Sequence, residues 1–156
     1  MIISTKSSKT QDFTLIPASE SPDQVAQLFF KGKCVRDVSF QEEIIAQFQV
    51  GDCYLIMMDE NTPFEGGLFI MLLDRNFKQL DCRQLGIPYQ AGWLDKLDII
   101  SDRELHFSFF GNDRWRLEIL DQPQYMWRNY TQRQPCRQWS KIFSKRYLQL
   151  SQISSK

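Results

Sequence analysis

The sequence is poor in the residues that mark chemistry. It holds one histidine, His106, in 156 residues. A Ser–His–Asp or Cys–His arrangement would have to combine it with Ser108, Cys53 or Cys82, and no local spacing supports one. The cysteines, Cys34, Cys53, Cys82 and Cys136, form no C-x-x-C pair. That excludes a sequence-local zinc site, and the four read as small, partly buried thiols. Gly66-Gly67 stands outside both phosphate-cradling glycine frames and reads as the exit of a loop. H-E-x-x-H and EF-hand spacings are missing too. Paired carboxylates need only spatial proximity, so an enzyme with a carboxylate site assembled in space is kept as an alternative. The expectation is a non-enzyme that uses no cofactor and no metal.

Long apolar runs are missing as well. Leu68–Leu73, as long as any, has six residues, against about 20 for a membrane-spanning helix. The start, MIISTKSSKT, lacks the apolar run of roughly 7–15 residues that a secretory signal needs. A cytoplasmic protein with no membrane partner is expected. With seven Gly and six Pro, 42% hydrophobic and 24% charged residues, the composition is that of a globular protein. One domain over residues 12–150 is expected, between a flexible N-terminus (1–11) and a flexible tail (151–156).

Aromatics are plentiful: twelve Phe, five Tyr and four Trp. Such rings supply large buried areas and favour β-structure. Asp12–Ile16 reads as a short strand. Ser21, Pro22 and Asp23 then give a helix-start signal, with Val25, Leu28 and Phe29 on one stripe and Gly32 as the stop. From Cys34 to Leu120 the period becomes two. Strands are expected at Ile44–Val50, Tyr54–Met58, Leu68–Leu73, Phe77–Leu85, Leu94–Ile100, Glu104–Phe110 and Arg114–Leu120. A three-residue loop at Gly111–Asp113 would set Phe109 against Trp115, Phe107 against Leu117 and His106 near Glu118. Leu68–Leu73 has no polar face and should be central, covered above and below. Cys136–Leu150 carries Trp139, Ile142, Phe143, Tyr147 and Leu150 on a helical stripe. The expected fold class is α+β, mainly β: an antiparallel meander sheet or β-sandwich of about seven strands, with a short N-terminal helix and a C-terminal amphipathic helix packed on it.

Charge is balanced in total and separated along the chain. Residues 1–127 hold all 19 acids against 12 bases, whereas 128–156 hold seven bases and no acid. Asp59, Glu60 and Glu65 lie in a long loop, and Asp74, Asp95, Asp98, Asp102 and Asp113 lie at strand ends and turns. A turn Asp ordinarily bonds nearby backbone N–H groups. Together these eight form a candidate negative surface that would steer a basic protein partner. In the basic segment, Tyr125, Trp127 and Tyr130 interleave with Arg128 and Arg133, a pattern suited to nucleic acid or to a regulatory module. Trp139 and Phe143 sit where helix packing wants them, which ranks nucleic acid below a protein partner.

The acid-tipped hairpins LFIMLLDRNFKQLDCRQLG and LDIISDRELHFSFFGNDRWRLEIL, within residues 43–120, resemble those of immunity proteins of bacterial contact-dependent inhibition and related polymorphic-toxin systems. The resemblance implies binding to one cognate toxin domain, often a nuclease, and blockage of its active site. These proteins share no motif, so no functional residue is carried over. The sequence leaves the oligomeric state open.

Overall fold

The computed structural model describes residues 2–5, 12–38, 43–59, 67–86, 92–127, 136–137 and 143–154. Among them the strands are β1 (Ile2–Thr5), β2 (Phe13–Ile16), β3 (Gln27–Phe30), β4 (Lys33–Asp37), β5 (Glu43–Val50), β6 (Cys53–Asp59), β7 (Leu68–Leu73), β8 (Gln79–Leu85), β9 (Asp95–Ser101), β10 (Glu104–Ser108), β11 (Trp115–Trp127), β12 (Cys136–Arg137) and β13 (Phe143–Gln152). One 3-10 turn, Ala18–Glu20, is the only helical piece in the described residues. The strands form three antiparallel sheets, ordered β1-β5-β6-β7-β8-β12, β13-β11-β10-β9 and β2-β3-β4.

The chain is therefore all-β in its described part, and both expected helices are overturned. In place of the first, β3 and β4 form a hairpin whose Phe30↔Lys33 pair encloses Lys31-Gly32. Both turn residues have positive φ, 49° and 81°, the requirement of a type I′ turn, which glycine meets at no steric cost. Gly32 is thus a hairpin residue rather than a helix stop. The stripe Val25, Leu28, Phe29 competes with the alternation Ala26, Leu28, Phe30. The buried residues are Ala26 and Leu28, so the period of two prevails.

In place of the second helix, Phe143–Gln152 pairs along β11 and Cys136–Arg137 pairs with the edge of β8. Trp139 and Ile142 lie outside the described residues. The strand alternation puts Arg146 and Leu148 inward, where each meets a partner on β8. The ends read as flexible also carry strand: Ile2–Thr5 pairs with β5, and Ser151 and Gln152 continue the ladder on β11.

The middle sheet is buried on both faces. On one side Leu55, Met57, Leu68, Ile70 and Leu72 pack with Leu105, Phe107, Trp115, Leu117 and Leu148 of the four-stranded sheet. On the other, Ile56, Met58, Met71 and Leu73 pack with Phe13 and Leu28 of the three-stranded sheet. This three-layer arrangement explains why Leu68–Leu73 has no polar face: successive residues serve different cores. A bulge between Ile44 and Ala46 lets β5 contribute to both.

Side chains replace strand pairing where the layers meet. The buried Gln47 amide accepts from the Phe13 N–H and donates to the Phe13 carbonyl, each at 3.1 Å, which ties β2 to β5. Between β8 and β13, Asp81 takes Arg146 Nη1 at 2.9 Å and accepts the Tyr147 and Leu148 N–H groups at 2.9 Å. Arg83 donates from Nε and Nη2 to the Leu148 carbonyl. Asp81 and Arg146 are each only 2% exposed. Their mutual pairing is what makes burial of two charges tolerable.

The hairpin of β10 and β11 keeps its expected core face but shifts its register by two residues. Phe107 opposes Trp115, Leu105 opposes Leu117, and His106 opposes Arg116 rather than Glu118. The cause is Asp113, whose Oδ1 accepts the Phe109 and Phe110 N–H groups at 2.9 and 3.0 Å. Those residues leave the ladder and lengthen the loop. A shift of two preserves the faces, because the side-chain period of a strand is two.

Candidate functional site

Sheet order leaves β9 as one edge of the four-stranded sheet, and no described strand pairs with its outer side. Every residue of β9 except Leu97 is exposed. Trp93, Ile99 and Ile100 stand 63%, 43% and 51% exposed. They span roughly 20 Å at the usual rise per strand residue. Asp95 and Asp102, both exposed, lie within and just beyond this apolar strip.

The strip is shaped by irregular pairing. Two register shifts interrupt the β9–β10 ladder, one near Ile100 and one near Lys96. Lys96 has a φ of +48°, an uncommon conformation for a residue with a side chain. Three contacts hold it there. Its N–H donates to its neighbour Asp95 at 2.8 Å, its carbonyl accepts Arg114 Nη1 at 2.7 Å, and the other arm of Arg114 pairs with Asp98. Bulges and charges of this kind prevent an incoming strand from zipping along an edge. What remains available on β9 is its side chains.

Trp93 is set by a close approach behind it. Its N–H donates to the Phe109 carbonyl at 3.0 Å. A Cβ at Gly92 would lie 2.5 Å from the buried Phe109 ring. Gly92→Ala should cost about 1–3 kcal/mol through overpacking, measurable by urea denaturation. A loss below about 0.5 kcal/mol would show that the ring can yield.

The eight acids proposed from sequence divide by role. Asp95, Asp98 and Asp102 gather on β9 and its turn; Asp98 is neutralised by Arg114. Asp113 is spent on the Phe109–Phe110 loop and on the Trp115 indole N–H. Asp74 shapes its own turn, accepting the Asn76 and Lys78 N–H groups at 2.8 and 3.0 Å. Asp59 ends β6, opposite Glu43 and Leu68. Glu60 and Glu65 lie outside the described residues. On β9 and its turn, Asp95, Asp98 and Asp102 lie together, with Lys96 and Arg114 among them.

No protein family, curated protein or solved structure matches the chain. Geometry alone carries the reading.

His106 lies opposite Asp98 in the β9–β10 ladder. Its Nε2 lies 2.7 Å from Glu104, which also takes Arg116 at 3.0 Å. The histidine bond first, and Arg116 second, hold the Glu104 carboxyl below its ordinary value. The imidazole is thus engaged by a carboxylate rather than by Ser108, Cys53 or Cys82. Burial, and then Asp81, push the Cys82 thiol up to about 11, while burial and then Asp74 raise Cys53. Cys34 is exposed. The thiolate, the reactive form, is scarcer at Cys82 than at an ordinary thiol. Iodoacetamide with mass-spectrometric mapping should therefore label Cys34 well before Cys82; comparable rates would contradict the burial described.

Sequence reading missed Trp93, Ile99 and Ile100. A signal was present: Ile99-Ile100 cannot both face the core from a strand with one buried side.

Proposed function

We propose that this chain is a protein-binding domain of the immunity type, which engages a basic toxin domain along the β9 edge and blocks it by occupancy. One observation carries the reading: the edge strand β9 and the residues flanking it expose Trp93, Ile99 and Ile100 beside Asp95 and Asp102. An aromatic anchor and aliphatic neighbours with a polar rim have the composition of a recognition hot spot. The carboxylates favour a basic partner and speed its approach. Nuclease domains meet that condition, since a site for a polyanionic substrate is itself basic. With strand addition obstructed, the partner docks as a folded surface.

The test is co-expression with the product of the gene beside this chain's, expected to be a basic toxin domain. Cells should survive and the two proteins should co-purify. Trp93→Ala with Ile100→Ala should weaken binding by about thirtyfold or more while the melting temperature holds, since both side chains are half exposed or more. Asp95→Lys with Asp102→Lys should slow association, less so at high salt. Full protection by the Trp93/Ile100 double variant would remove this surface from the account. Failure of the wild type to protect would remove the immunity role.

A further inference from the structure

We infer that the ribbon formed by the outer parts of β11 and β13 is a contact for single-stranded nucleic acid, with Tyr125 as the ring that stacks a base and Lys145 as the cation beside it. Beyond Ile119 the β11–β13 ladder is interrupted, and it resumes with Gln124–Trp127 against Phe143–Arg146. Pro123, which has no N–H to give a ladder, sits in that interruption. The Gln149 amide donates to Gln124 at 2.9 Å and ties the two sides together.

On this ribbon Tyr125 is 68% exposed, the most exposed of the large hydrophobic side chains described. Lys145 is its cross-strand partner, with its ammonium 5.9 Å from the ring centroid. A Tyr with little burial adds little to the core, whereas an exposed π-face next to a cation suits a base and its phosphate.

Charge supports the same ligand. The sequence after Trp127 has seven bases and no acid; Arg146 is buried against Asp81, while Lys145 is exposed. In the described part of the ribbon Lys145 is the exposed cation, and the sequence after Trp127 adds no acid to oppose it. Of the two residues that favoured a packing helix, Phe143 is in β13, opposite Trp127, and Trp139 lies outside the described residues. A lone exposed ring favours single strands over duplex, whose bases are already stacked. The ribbon includes β13, at the opposite end of the sheet order from β9, so this inference does not rest on the protein-binding reading.

The test is fluorescence anisotropy of the full chain with labelled 20-nucleotide oligo-dT and oligo-U at low salt. Saturable binding is expected, about micromolar. Tyr125→Ala and Tyr125→Leu should each weaken it about tenfold, and Tyr125→Trp should retain it. Lys145→Gln should flatten the slope of log affinity against log salt by about 0.7. Unchanged melting temperatures of the variants confirm that the fold is intact. The inference is overturned by an absence of saturable binding, by Tyr125 variants that bind like the wild type, or by equal binding to a duplex or to phosphatidylserine vesicles.

Discussion

Asp81→Ala should destabilise the protein by about 3–5 kcal/mol, the usual cost of removing one partner from a buried ion pair, and lower its melting temperature by roughly 10 °C. The substitution takes the carboxylate from the buried Arg146 and the acceptor from two backbone N–H groups of β13. The Arg146 guanidinium and the Leu148 N–H stay buried and the Tyr147 N–H partly so, where an unmet donor costs far more than at the surface. Asp81→Asn keeps the shape and an acceptor oxygen but places an amide against the guanidinium, so an intermediate loss is expected. Asp81→Leu combined with Arg146→Met should lose less than Asp81→Ala alone, because no charge is left behind. Urea and thermal denaturation check all three. A loss below about 1 kcal/mol for Asp81→Ala would show that the seam between β8 and β13 does not hold the layers together.

Truncating Leu72 or Leu73 to alanine should each cost about 2–5 kcal/mol, through lost transfer energy and the cavity left behind. The two adjacent residues should nevertheless loosen different parts of the molecule. Leu72 faces the core shared with the four-stranded sheet, and Leu73 faces the core shared with the three-stranded sheet. Amide hydrogen exchange should therefore accelerate first in β9–β11 and β13 for Leu72→Ala, and first in β2–β4 for Leu73→Ala. Identical exchange patterns would contradict two separate cores on either side of one sheet.

The candidate site was partly legible for the same reason that the strands were. Acids at the ends of two-residue alternations marked Asp95, Asp98 and Asp102 as turn or edge residues. Whether such a carboxylate is available to a partner depends on what the fold brings to it. Arg114 reaches Asp98 from the loop before β11, and Asp113 turns onto Phe109 and Phe110 within that loop. Neither contact has a sequence period. In the apolar half of the site, the Ile99-Ile100 pair signals an exposed residue by itself, whereas Trp93 is recognisable only once β9 is known to be an edge.

Local pattern alone determined the strands between Ile44 and Leu120, the doubly buried character of Leu68–Leu73 and the shared core face of the β10–β11 hairpin. Each follows from a side-chain period of two, which a short stretch of chain displays by itself. The hairpin register followed from a contact inside its own loop, Asp113 with Phe109 and Phe110. Tertiary structure decided the rest: strand over helix at Gln27–Phe30 and Phe143–Leu150, and the split of one meander into stacked sheets. In those segments two periods fit the apolar residues about equally. The choice fell to partners distant in sequence, above all the carboxylate of Asp81 waiting for Arg146, 65 residues away.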